Sequence, residues 1–152
     1  IKRLEKITCD DKDKIFSYVH NKYDDNIGKI ASMICVKSDL FNDELIDICK
    51  KICMHITALK PISLNIKDLD EDLIEKEKEI ILENVKSSGK PDNIVNNIVD
   101  GKLKKYYEEV VLMEQKFIID NETKIKDLFV EFSKKYKIKP EIIDFKLFVL
   151  AK

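Results

Sequence analysis

Two long amphipathic stretches meet at Ser88-Gly89-Lys90-Pro91, and that junction constrains the chain more than any other feature. Glycine supplies a left-handed end for one helix, and proline is suited to the first position of the next. Upstream, Asp68, Asp70, Glu71 and Asp72 open a helix running to about Lys86, with Leu73, Ile74, Ile80, Ile81 and Val85 as its apolar stripe. Downstream, Ile94, Val95, Ile98, Val99, Leu103, Tyr106, Val110 and Met113 recur at helical spacing. Helices joined by so short a turn run antiparallel. At about 18 residues each is ~27 Å long, so the pair is expected to protrude from a small domain. Gly101, inside the second helix, predicts a bend or a close helix contact.

The rest of the chain reads as sheet and shorter helices. Leu4–Thr8 and Ile15–His20 are candidate strands, followed by a polar turn over Asn21–Asn26. Ile27–Val36 carries apolar residues on both parities, so both of its faces are expected to be covered. Gly28 within it predicts a bulge or a close backbone approach. Asn42 caps a helix that repeats Leu45, Ile48, Cys49, Ile52, Cys53 and Ile56 and ends at Pro61. Ile125, Leu128, Phe129, Phe132 and Tyr136 form another helical face, and Ile142–Leu150 alternates as a closing strand. The fold class is α+β: a small antiparallel sheet packed with helices, plus a protruding antiparallel helical hairpin. Residues 1–69 and 118–152 are expected to form the α/β core, with 70–117 an inserted coiled-coil hairpin.

Charge narrows the partners. Lys and Arg number 28 against 29 Asp and Glu, interleaved along the chain. Neither a nucleic acid nor an anionic membrane is expected as a partner, because each needs a basic excess or face. No apolar run approaches the ~20 residues of a membrane span. No signal peptide is visible, so the expected location is the cytoplasm, with an organelle as the alternative if a leader has been removed ahead of Ile1.

Chemistry is sparse. Cys9, Cys35, Cys49 and Cys53 all lie in apolar segments, which predicts small buried hydrophobes in a reducing compartment rather than a disulfide framework. Cys49 and Cys53 share a helix face, but His55 points roughly 200° from Cys53, so no metal site converges. Neither His20 nor His55 has a local partner to activate a thiol. Three isolated glycines cannot build a phosphate loop. The expectation is a protein that is no enzyme, without catalytic residues, cofactor or metal.

Several runs resemble elongation factor Ts. They are Ser88-Gly89-Lys90-Pro91, Ile98-Val99-Asp100-Gly101-Lys102-Leu103, Lys105-Tyr106-Tyr107-Glu108-Glu109 and Leu112-Met113-Glu114-Gln115-Lys116-Phe117. Cys53-Met54-His55-Ile56-Thr57-Ala58 before Pro61 is similar to the family's Met-His helix end. Ser17-Tyr18-Val19-His20 and Ile27-Gly28 are similar to its Tyr-x-His…Ile-Gly hairpin, and Ile1-Lys2-Arg3 to the end of its first half. The likeness covers nearly the whole chain in order. The family's Thr-Asp-Phe-Val motif is absent; Ser38-Asp39-Leu40-Phe41 is only the matching turn of the second half.

The resemblance implies the second half of a factor that binds elongation factor Tu, in its GDP-bound and nucleotide-free states, and promotes GDP release. It implies partner contacts at His20, Ile27, Gly28, Met54 and His55, with a second set at the hairpin tip, Gly89, Lys90 and Pro91. Lacking the Thr-Asp-Phe-Val motif, this chain is expected to bind without full exchange. The alternative is a homodimerising structural domain, with Ile27–Val36 as an exposed sheet edge.

Overall fold

A computed structural model describes residues 4–86 and 91–150; Ile1-Lys2-Arg3 and the expected turn residues Ser88, Gly89 and Lys90 lie outside them. Within them the elements run β1 (Lys14–Asp24), β2 (Ile27–Lys37), α1 (Asp43–Leu59), α2 (Glu71–Lys86), α3 (Asp92–Val110), α4 (Ile125–Tyr136) and β3 (Glu141–Val149). This is the expected α+β layout with an antiparallel sheet. The chain divides into two compact units, Ile1–Lys60 with Lys116–Lys152, and Pro61–Gln115.

In the first unit the sheet order is β1-β2-β3, so β2 is the central strand and not the exposed edge that self-pairing would need. Phe16 pairs with Ile34, Tyr18 with Ser32 and His20 with Ile30; beyond them Ile34 pairs with Phe145 and Ser32 with Leu147. Ser32, Ile34 and Val36 share a parity and are buried. The Ser32 hydroxyl donates to the carbonyl of Cys53 at 2.7 Å, pinning α1 to this face of the sheet.

The opposite parity is less well covered than the apolar pattern of β2 suggests. Met33 is half-buried, and Ile15 opposite Cys35 is 50% exposed. The chain before β1 crosses here without forming the expected strand at Leu4–Thr8. It ends in a disulfide between Cys9 and Cys35, with Cα atoms 6.4 Å apart. The reading of all four cysteines as separate thiols therefore fails for these two, because a bond across 26 positions leaves no local pattern. It holds for Cys49 and Cys53, which are buried and free. The turn after His20 is also tighter than Asn21–Asn26: β1 continues to Asp24, and only Asp25-Asn26 turn. The register shifts between Lys22 and Asp24, leaving Tyr23 as an extra residue.

α1 begins as expected, with the Asn42 side chain accepting from the Leu45 amide at 2.9 Å. It ends at Lys60, whose φ of 51° is left-handed and whose amide donates to the Ile56 carbonyl. Glu44, in its first turn, accepts from Lys135 and from the Tyr136 hydroxyl at the end of α4. Those two bonds, Lys135's first, hold the Glu44 carboxyl below its ordinary pKa.

In the second unit Ile81 and Val85 of α2 pack with Val95, Val99 and Leu103 of α3, flanked by Leu82, Ile98 and Tyr107. The motif residues after α3 close this unit. Leu112 donates its amide to the Ser63 carbonyl at 2.9 Å, and buried Gln115 donates its side-chain amide to the Glu109 carbonyl at 2.7 Å. Gly101 departs from expectation: a Cβ built there meets nothing within 4 Å, and α3 runs on through it. No close contact requires the glycine. Gly101→Ala is therefore expected to stabilise the chain by about 0.5–1 kcal/mol, read as a higher urea midpoint with an unchanged slope.

Candidate docking groove

The strands and α1 are positioned so that their ends open onto one groove of about 450 Å³ in the first unit. From the sheet it receives Tyr18, His20 and Ile30, the last two being register partners. From the last turns of α1 it receives Met54, Thr57 and Ala58, with Lys60 at the helix end. Its remaining wall is Ile118 and Ile119, from the loop before α4. Lys60 and His20 are the basic side chains of this lining, and no acidic one joins them. Met54 is 41% exposed and Ile119 is 55% exposed, so apolar surface stands open to a partner.

The polar groups at the rim are tied down locally. The Tyr18 hydroxyl and His20 Nδ1 share a hydrogen bond of 3.3 Å, with their rings 6.1 Å apart. The Thr57 hydroxyl donates to the Met54 carbonyl, one turn back on the same helix. Asp120, just beyond Ile119, accepts from the amides of Glu122 and Thr123 at 2.9 and 3.0 Å. Those bonds lower its carboxyl pKa, the Glu122 amide first, and fix the loop in its turn.

Of the residues singled out from sequence, the groove brings together His20 and Met54. Ile27 lies at the hairpin end, 61% exposed and outside the groove lining. Gly28 stands where the backbone comes close. A Cβ there would lie 2.5 Å from Val19 Cγ1 and 2.7 Å from the His20 carbonyl oxygen, so only glycine fits without a shift. Pro91 is exposed and accepts the Ile94 and Val95 amides at the start of α3, whereas Gly89 and Lys90 lie outside the described residues.

His55, the other residue expected at the partner contact from this helix end, is buried in the free chain. The side chain is 0% exposed, because α1 is covered on more than one side. Its Nδ1 instead accepts from the backbone amide of Ile118 at 3.2 Å. Sequence reasoning missed Ile30, Thr57, Ala58, Ile118 and Ile119 as a set. The only available signal was two consecutive β-branched residues straight after the Phe117 motif, with no helical or strand period to bury them.

The groove holds no candidate nucleophile. Cys49 and Cys53 lie in the core, and burial pushes both thiols up to about 12, leaving them protonated at neutral pH. Among the described residues no three His, Cys, Asp or Glu side chains are grouped to hold a metal ion. No helix among them is long and apolar enough to cross a membrane.

Fold and groove together describe an α+β module bearing an antiparallel helix pair and an open apolar surface. The family described as Elongation factor TS matches residues 1–152, the whole chain. The chain is 37% identical over 137 residues to Elongation factor Ts of Anaplasma phagocytophilum, covering 90% of this chain and 48% of the relative. It is 43% identical over 137 residues to that of a Wolbachia from Drosophila simulans, covering 90% and 46%. With Elongation factor Ts of Ehrlichia chaffeensis it shares 36% over 135 residues, 89% and 47%. The chain belongs to the elongation factor Ts family, the factors of translation elongation, and spans about half the length of the curated relatives it matches.

Proposed function

We propose that this chain is the half of an elongation factor Ts that grips elongation factor Tu, using the groove between β1, the end of α1 and the loop at Ile118-Ile119. The observation carrying the reading is the meeting of His20 and Met54 in one open apolar groove. They come from separate family-like motifs, 34 positions apart by their numbering. Ile27 and Gly28 extend the contact along the hairpin, and the segment Gly89-Lys90-Pro91 supplies a second, smaller one. The expected location is the cytoplasm or an organelle with its own translation.

The proposed action needs no bond-making step. A factor that binds nucleotide-free elongation factor Tu more tightly than its GDP complex weakens GDP binding by the same factor. Gripping one domain of the partner does not by itself discriminate those two states. Without a Thr-Asp-Phe-Val motif this chain is expected to bind both states with similar affinity and to exchange poorly.

Titration calorimetry against GDP-bound and nucleotide-free elongation factor Tu tests the grip, with release of a fluorescent GDP analogue as the second readout. The expected result is a complex of about micromolar Kd with less than roughly tenfold faster release. Absence of binding at protein concentrations of about 100 μM overturns the reading. Full exchange by this chain overturns its second clause.

A further inference from the structure

Among the described residues, His55 is the partner-contact candidate that the fold buries completely, and its surroundings give it a different task. It sits two residues before Thr57 and next to Met54, on the stretch of α1 that walls the groove. Its ring is fully buried and lies 6.1 Å from that of Phe117, tilted by 36°. Its Nδ1 accepts the amide hydrogen of Ile118, 63 positions further on. An imidazole nitrogen accepts only when it carries no proton, so this bond requires a Nδ1 lone pair facing the loop.

The loop also bonds within itself. Phe117 donates its amide to the Thr123 carbonyl at 2.7 Å, and Asn121 donates to the Phe117 carbonyl at 2.8 Å. The Asp120 carboxylate ties down the amides of Glu122 and Thr123. These bonds set the internal shape of the turn, not where it rests against α1. The His55 bond does that, together with the Phe117 ring beneath it. It leaves Ile118 half-buried and Ile119 exposed, both lining the groove beside Met54.

We propose that His55 is a positioning residue that clamps the Ile118-Ile119 loop onto the end of α1, and so builds one wall of the docking groove without touching the partner. The inference rests on the docking reading above. A wall ordered in advance spares the partner the entropy of ordering it on binding.

Two variants separate clamp from filler. His55→Asn keeps an acceptor, Oδ1, at the same number of bonds from the backbone as Nδ1; His55→Phe keeps a buried ring and removes the acceptor. Amide hydrogen exchange in the free chain is read first. In the wild type the Ile118 amide is expected to exchange at least about 100-fold more slowly than in an unstructured peptide. His55→Phe is expected to speed it about tenfold while the Ile52 amide in mid-helix stays protected. His55→Asn is expected to restore protection.

Affinity for elongation factor Tu follows. His55→Phe is expected to lose about tenfold, but less than about threefold when Ile119 is already Ala, because the two act through one wall. An unprotected Ile118 amide in the wild-type chain overturns the proposal. So does a His55→Phe loss that persists in full beside Ile119→Ala. Should His55→Phe not fold, protection in the wild type and in His55→Asn still decides. A wild-type chain that keeps Ile118 protected but does not bind elongation factor Tu overturns the docking reading and leaves His55 holding a loop with no docking role, which overturns this proposal as stated; the two failures differ in the exchange data.

Discussion

Gly28→Ala is expected to lower the stability of the chain by about 1–3 kcal/mol, the range for forcing a methyl group into filled space. The added Cβ would lie within 2.5 Å of Val19 Cγ1 and 2.7 Å of the His20 carbonyl oxygen. Val19 can rotate, but a backbone carbonyl cannot move without carrying its residue along. The hairpin must therefore open at His20, where β1 meets Ile30 of β2. The loss should appear as a lower urea midpoint, with the largest amide shifts at Val19, His20 and Asn21. Affinity for elongation factor Tu should fall about tenfold beyond what unfolding explains, since His20 is displaced from the groove. An unchanged midpoint would show that the two strands have room between them.

Met54→Asp separates docking from folding. Met54 is 41% exposed at the end of α1, so the substitution should cost the fold no more than about 0.5–1 kcal/mol, mostly in helix propensity. Docking an apolar surface onto it would desolvate a carboxylate in a mainly apolar lining whose basic side chains are Lys60 and His20. Affinity for elongation factor Tu is expected to fall by roughly 100-fold or more, the usual scale for desolvating an unpaired charge in an interface. Calorimetry with the nucleotide-free partner, alongside thermal melts of each chain alone, checks both halves. A Met54→Asp chain that binds like the wild type would remove the groove as the docking surface.

The fold class could be read because its evidence was local. Asn42 and Pro61 bracket α1, the 3.6-residue spacing in α3 and α4 needs only a short window, and Ile142 onward alternates cleanly as β3. What could not be read depended on residues far apart in sequence. The bond between Cys9 and Cys35 is one case, and the central place of β2 is another, since only pairing with β3 removes its edge. Gly101 misled for the opposite reason: a glycine in a helix suggests a neighbour, and here none comes near.

The site divides in the same way. His20 and Met54 belong to motifs that can be read in place, and the groove contains both. Ile118 and Ile119 line it too, and the Ile118 amide is bonded by His55, 63 positions upstream, a contact that no local pattern announces. His55 itself sits in a motif that draws the eye to contacts. Helical phase alone turned it away from Cys53, and that side also proved to be covered, by the chain at Phe117. A residue on the second side of a helix can look exposed until the segment packing there is known.

The sequence has only three glycines, yet among the described residues four others take the left-handed backbone that glycine usually supplies: Asn21, Lys60, Asn121 and Lys137, at φ of 51° to 60°. For a residue with a side chain that conformation costs roughly 1–2 kcal/mol, somewhat less for asparagine. At three of these corners the strained residue's own amide closes a loop: Lys60 onto Ile56, Asn121 onto Phe117 and Lys137 onto Ser133, at 2.8 to 2.9 Å. Two of the three bound the loops that frame the groove. The corners are therefore inscribed in the backbone's hydrogen bonding rather than in the residue alphabet. A chain drifting toward lysine and asparagine can surrender glycine at such places and keep its shape, at the expense of a thinner margin against unfolding.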